Sequence, residues 1–354
     1  MKDSGVAQPG AAREVATRTG TISTRQLCIE AGMAAGDFSA HRGRLDDDIS
    51  VFGRHNAVSG SRWNRRMQNL SARFLILGAL LLSMVAQSAW AVVGGAGIDA
   101  NTPRSRWAGV GVVESGPGHF SGAVIGPRHV LTAAHVVGGR PAAEIRFRLN
   151  LADGNSPVIQ ARSVHIHPGF KGTGKGPDGF WHKDLAVLEL AEPVPPGVPV
   201  YALARSEHPL KSMIVFVGYG RGGDGGQGAV LDGNPHTKRI GYNRIDALLA
   251  DTGIDRQTDL FLFDFDGPDY ISNRIKPDSP FNGSLGEDKE ATFAGGDSGA
   301  PVFVFESGQW RIVGVAAFVA GQDAGRFGSI AGATLTPAFM EWIRETADSG
   351  PDSP

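Results

Sequence analysis

Cysteine is all but missing from this sequence. Cys28 is the single one among 354 residues, and it lies in the N-terminal region. No disulfide can therefore form within the rest of the chain, and metal sites built on thiolates are excluded. Scarce cysteine often accompanies a reducing compartment. A chain of this length, however, has core enough to stand without cross-links, so the compartment has to be argued from other features. Runs that favour helix are also few, whereas glycine is abundant at 50 residues. Together these point to a loop-rich β protein. Hydrophobic residues make up 41% and charged residues 20%, ordinary proportions for a globular chain. No basic surplus exists either: the net charge is −2. Residues 1–91 hold 11 Lys/Arg against 7 Asp/Glu, and the remainder holds 23 against 29. An acidic body argues against nucleic acid as a partner.

One long hydrophobic run is present. Residues 74–98 carry no charge, and their densest part runs over the 12 residues from Phe74 to Val85. Arg62, Arg65, Arg66 and Arg73 precede it, and Ala89-Trp90-Ala91 follows, with small residues at both outer positions. That order reads as a signal peptide over 67–91 with a cleavage site after Ala91. The apolar core is shorter than the roughly 20 residues that span a bilayer. Retention as a membrane anchor is the competing reading, and membrane contact is expected only if the leader is kept. Residues 1–66 are polar and lack periodicity, and read as a disordered or untranslated extension. Met67 stands where translation is expected to start. A secreted or periplasmic destination follows.

From Val92 to the end at 354 the chain reads as one domain of short strands between glycine turns. Strands are expected at Ala108–Val113, His119–Ile125, Val130–Ala134, Ala143–Leu149 and Ala186–Leu190. More follow at Met213–Gly218, Leu260–Phe265, Pro301–Phe305 and Trp310–Val319. One helix is expected over Pro337–Thr346, where Phe339, Met340 and Ile343 share a face and a proline opens the first turn.

Ser298 sits in Gly295-Gly296-Asp297-Ser298-Gly299-Ala300-Pro301. A serine hydroxyl needs a base to take its proton and donors to hold the oxyanion that forms. Flanking glycines let the backbone turn its N–H groups towards one point. Read singly, the segment is equally a plain glycine turn. His135 closes the apolar run Val130-Leu131-Thr132-Ala133-Ala134, a rigid way to deliver a base; read singly, it is a buried histidine satisfied by backbone. Asp184, in Trp181-His182-Lys183-Asp184-Leu185-Ala186-Val187, precedes an apolar strand. It can orient an imidazole there, or be an exposed aspartate at a strand start.

The order His, Asp, Ser joins these three signals. LTAAH, DLAVLEL and GGDSGAP resemble the signature segments of the trypsin/chymotrypsin-like serine proteases, and the resemblance covers most of residues 92–345. It implies two antiparallel six-stranded β-barrels with the active site between them, an all-β fold closed by a C-terminal helix. It implies a secreted serine endopeptidase with His135 as base, Asp184 as orienter and Ser298 as nucleophile, acting on protein or peptide substrates without a cofactor or metal. The N–H groups of Gly296 and Ser298 would form the oxyanion hole. Val92-Val93-Gly94-Gly95 is similar to the family's mature N-terminus, which implies an activation pair between the Val92 α-ammonium and Asp297. Phe120 and Val136 stand where a disulfide commonly brackets the histidine, so apolar packing is expected in its place. A catalytically silent binding protein on the same fold is the alternative.

By the same resemblance Thr292 falls at the base of the primary pocket, and Ala317-Phe318-Val319 is similar to the strand that pairs with substrate. An uncharged Thr292 and a bulky Val319 imply small or medium apolar residues before the cut. The stretch Gly220–Lys289 is long for the family. It opens on Gly218-Tyr219-Gly220-Arg221-Gly222-Gly223, which spells a dinucleotide fingerprint but has no βαβ unit around it. Asp264, Asp266 and Asp269 fit a solvated acidic turn better than a calcium loop. His165 and His167 alternate with Val164 and Ile166, as on one face of a strand. The sequence leaves oligomeric state open.

Overall fold

Among the described residues, runs of β-branched and aromatic residues between glycine turns build mainly antiparallel sheet. The computed structural model describes residues 92–348, apart from 96, 152–155, 173–175, 177, 207–208, 253–255, 269–271, 276–283, 287–288 and 321–323. The extension over 1–66, the leader over 67–91 and Asp269 lie outside the described residues. All described residues belong to one compact unit. Among them no helix is long and apolar enough to cross a membrane.

Two short strands open the body, β1 (Val92–Gly94) and β2 (Gly97–Ile98). The first barrel follows with β3 (Val110–Ser115), β4 (Gly118–Gly126), β5 (His129–Thr132), β6 (Ile145–Arg148), β7 (Val158–Ile166) and β8 (Ala186–Leu190). It closes in the order β3-β4-β5-β8-β7-β6. Its interior is filled by Val110, Val112, Leu131, Phe147 and Val187, all shielded from solvent.

The second half holds β9 (Met213–Gly218), β10 (Gly222–Asp224), β11 (Gly228–Leu231), β12 (Arg239–Arg244), β13 (Ala247–Ala250), β14 (Thr258–Asp264), β15 (Ala291–Thr292), β16 (Pro301–Glu306), β17 (Gln309–Ala320) and β18 (Ile330–Leu335). Seven of these and β2 form a sheet in the order β13-β14-β18-β17-β16-β9-β12-β2. β12 and β13 are separated only by Ile245 and Asp246, whose N–H groups donate to the carbonyls of Ser212, just before β9, and Leu262 of β14. Taken as one bent strand, β12–β13 pairs β9 along its first part and β14 along its second. The second barrel thereby closes on six antiparallel strands, as the resemblance implied. β1 lies outside it in a small sheet, between parallel β10 and antiparallel β15.

One apolar cluster joins the two barrels: Val110 and Val112 of β3 share it with Val215, Phe303 and Val315 of the second barrel. Val136 belongs to this cluster and Phe120 packs against it. The expected C-terminal helix splits in two. Thr336–Phe339 is a 3₁₀ turn with proline near its start, and α-helix runs only over Met340–Asp348. A proline early in the segment suits a helix start but donates no N–H, and the tighter turn absorbs it.

Candidate active site

His135 does not end a strand, as the run before it suggested. β5 stops at Thr132, Ala133 is extended, and Ala134–Val137 forms a one-turn helix, α1. The Gly138 N–H closes that turn on the Ala134 carbonyl at 2.8 Å. Asp184 holds His135 by both ring and backbone. Nδ1 lies 2.6 Å from Asp184 Oδ2, and the His135 backbone N–H donates to Asp184 Oδ1 at 2.9 Å. A carboxylate only accepts, so Nδ1 carries the proton and Nε2 is left as acceptor. Asp184 is completely buried at the entry to β8. Its own carbonyl accepts from Thr334 Oγ1 of β18 at 3.4 Å, across the barrel boundary.

Ser298 arrives from the second barrel on a loop that β4 pins in place. The Ser121 N–H donates to the Ser298 carbonyl at 2.9 Å. The Ser121 hydroxyl donates to the Gly296 carbonyl at 3.1 Å and accepts from the Tyr219 N–H at 3.0 Å. Peptide planarity then aims the oxyanion donors. The Gly295 carbonyl is engaged by Arg221 N–H at 2.8 Å, and the Asp297 carbonyl by Ala300 N–H at 2.8 Å. In a trans peptide the N–H points opposite its carbonyl, so the N–H groups of Gly296 and Ser298 face away from those partners. Gly299, at φ 82°, packs so closely that a Cβ would sit 2.1 Å from Thr132 Oγ1. Only glycine fits there.

His135 and Ser298 line one cavity of about 190 Å³ with Trp181, Phe293, Ala294, Gly295 and the strand Ala316–Val319. Among the described residues no hydrogen bond yet joins the Ser298 hydroxyl to the imidazole. Such contacts often tighten only when substrate binds. A base with a free Nε2, a buried orienting carboxylate, a serine beside it and two unengaged N–H donors form a serine-hydrolase constellation.

Comparison with known proteins agrees. Residues 95–239, which include His135 and Asp184, match the family model described as Trypsin. The chain is also similar to vitamin K-dependent protein C of Mus musculus, at 24% identity over 233 residues. That match covers 63% of this chain and 45% of the relative. Over residues 95–239 the chain thus resembles the trypsin-like serine proteases. Its double barrel and its His-Asp-Ser order both fit that family.

The remaining expected site residues of this trypsin-like protein fall as follows. Ala317 and Val319 line the cavity. Thr292 does not: it lies fully buried in β15, paired with Val93 of β1, and the residue after it, Phe293, forms the wall instead. Val92 is buried in β1 beside Gly222. Asp297 is buried and accepts from the N–H groups of Gly220 and Ala294, at 2.8 and 3.0 Å. Burial lifts its carboxyl to about 6, against those two bonds and the charge of Arg239.

The glycine-rich loop after β9 explains itself here. A Cβ on Gly220 would sit 2.4 Å from the Asp297 carboxyl carbon. The glycines cage Asp297; they cradle no nucleotide. Asp264 and Asp266 are buried, not solvated as expected, because Asp264 accepts from Arg274 and Ile275 N–H groups while Glu290 accepts from Asp266 N–H. Among the described residues no group of three or more His, Cys, Asp or Glu is arranged to hold a metal. His165 lies on β7 with its ring on the Ser163 hydroxyl, and His167 just beyond packs between Phe339 and Trp342. Sequence reasoning missed Ser121, Trp181 and Phe293. Only Trp181 left a signal, an aromatic three residues before Asp184.

Proposed function

We propose that this protein is a secreted serine endopeptidase that hydrolyses peptide bonds through an acyl-enzyme. The observation that carries the reading is the 2.6 Å contact between His135 and buried Asp184 at the mouth of the cavity that Ser298 lines. In the first step Ser298 Oγ attacks the substrate carbonyl carbon and His135 Nε2 takes the hydroxyl proton. The oxyanion is held by the N–H groups of Gly296 and Ser298. His135 then gives the proton to the leaving amine, and the C–N bond breaks. Water, deprotonated by His135, attacks the ester, and the acid product leaves with Ser298 reprotonated.

The cavity wall carries no charged side chain and is narrowed by Phe293, Phe318 and Val319. This supports a preference for small or medium apolar residues before the cut. Export is proposed to cut after Ala91 and leave Val92 as N-terminus. β1 runs parallel to β10 with Val92 beside Gly222, so its leading end faces Gly220, the residue that donates to Asp297. An α-ammonium there offsets a carboxylate otherwise costly to bury. Val92 also holds φ at 66°, an uncommon value for a β-branched residue, and a cut before it removes that constraint.

The test is labelling of mature protein by a fluorophosphonate, with N-terminal sequencing of the labelled species. Labelling that disappears in Ser298→Ala, on chains beginning at Val92, is the expected result. Folded protein beginning at Val92 that never labels would instead favour the silent binding protein.

A further inference from the structure

A second histidine lies two residues before Asp184, and both of its ring nitrogens are engaged. His182 Nε2 is 2.7 Å from Asp178 Oδ2, and its Nδ1 is 2.7 Å from Asp259 Oδ1. Asp178 belongs to the same loop of the first barrel, whereas Asp259 lies on β14 of the second. Both carboxylates are almost entirely shielded from solvent. A neutral imidazole has one N–H, so it can donate to only one of them; the imidazolium donates to both.

The loop around His182 carries the machinery. Phe180 packs on Phe318 of the cavity wall, ring centroids 5.2 Å apart. Trp181 packs on the His135 ring at 5.1 Å. Lys183 takes left-handed backbone, φ 57°, uncommon for a lysine, immediately before Asp184. That turn is held from the second barrel. The Lys183 N–H donates to Asp259 Oδ2 at 3.1 Å and its Nζ to Asp251 Oδ2 at 2.9 Å. Strain beside a working residue persists only where its surroundings over-determine it. The five consecutive residues Phe180–Asp184 therefore reach the cavity wall, the base, the second barrel and the orienting carboxylate.

We propose that His182 is a positioning residue: bridging Asp178 and Asp259, it latches the 178–184 loop to the second barrel and so sets Asp184, Trp181 and Phe180 for catalysis. The inference rests on the protease reading above. Burial alone would lower the His182 pKa, but the hydrogen bonds and charges of Asp259 and then Asp178 outweigh it and raise it to about 9. The charged groups that face the latch are Asp178 on its own loop and Asp259 opposite, with Asp251 paired to Lys183 beside them. Asp178 and Asp259 both bond the one ring, an arrangement that suits an imidazolium. The latch is thus closed through neutral pH and opens as His182 loses its proton.

The experiment compares fluorophosphonate labelling rates of mature wild type and His182→Gln between pH 6 and 10.5. Glutamine keeps a hydrogen bond but not the charge. Wild type is expected to lose rate with a midpoint near 9. His182→Gln is expected to label roughly 10–100-fold more slowly at pH 7.5, mainly in the rate at saturating probe, and to lack that alkaline step. Equal rates and an unchanged profile in the variant would overturn the latch. Should His182→Gln fail to fold, the His182 ring is followed by NMR in Ser298→Ala. Titration near 9 supports the latch, and titration below 7 overturns it. Wild type that labels at no pH fails the protease reading itself, while the NMR midpoint still decides whether His182 is held as a charged bridge.

Discussion

Two histidines lie close together on the same boundary, each within 2.7 Å of a buried aspartate, and their chemistry is opposite. His135 has one nitrogen engaged and one facing a cavity. His182 has both engaged. An imidazole with a free nitrogen can take and return a proton; one bridging two carboxylates holds its proton and becomes a strut. Neither histidine type nor distance to a carboxylate separates base from strut. What separates them is the second nitrogen. α1 turns His135 Nε2 towards the cavity, whereas Asp259 of the other barrel caps His182.

The largest expected effect breaks the comparison on the His135 side. His135→Ala and Ser298→Ala should each lower kcat about 10⁴–10⁶-fold on a peptide substrate, because members of such a unit fail together. Asp184→Asn should cost about 10⁴-fold by favouring the wrong tautomer. The sharpening control is the double variant His135→Ala/Ser298→Ala. It should be scarcely worse than either single change, and additive losses would mean that the two residues do not act as one unit.

How much of this was legible from sequence follows the same division. Ser298, His135 and Asp184 lie in local segments whose residue types suggest their chemistry, and the structure brings Ser298 and His135 to one cavity with Asp184 on the ring. The barrel class was legible because strands such as Ala186–Leu190 are continuous apolar runs between turns. β12 was not, since Arg239, Asn243 and Arg244 break its apolar pattern. Asn243 is satisfied by partners farther along the chain, donating to the Asp264 and Ala291 carbonyls. Ser121 and Asp259 were invisible for that reason also. Each matters through a residue 77 to 177 positions away, and no local pattern records such a partner.

The next effect concerns stability. Cutting the strut leaves two buried carboxylates facing each other. His182→Ala should therefore lose about 3–5 kcal/mol of unfolding free energy at pH 7, read by denaturant melts. His135→Ala, which leaves Asp184 its bond from the His135 N–H, should lose much less. The sign with pH is fixed by the raised pKa. The His182 contribution is fully present below about 6.5 and is lost as pH rises through about 9. Wild type should thus lose more stability between pH 7 and 10 than His182→Ala does. Parallel curves would mean that the imidazole carries no charge in the fold.

The smallest effect sets the strut against a place where carboxylates gather without one. Asp264 and Asp266 each bury an oxygen that has no hydrogen-bond partner among the described residues, and Asp246 and Glu290 lie within their electrostatic reach. Burial, with mutual repulsion, lifts Asp264 to about 7, and burial lifts Asp266 to about 6. Here the folded chain binds protons that the unfolded chain releases. Stability should therefore fall as pH rises from about 4 to 7 and then level off, the opposite side of neutrality from the His182 loss. Asp264→Asn keeps an oxygen for the Arg274 and Ile275 N–H groups and places an amide donor where the unpaired oxygen was. It should gain about 1 kcal/mol at pH 8 and flatten the slope below 7, measured by thermal melts across pH. A loss of stability at pH 8 would show that the ionised carboxylate has a partner of its own, and that this cluster, like His182, is paired.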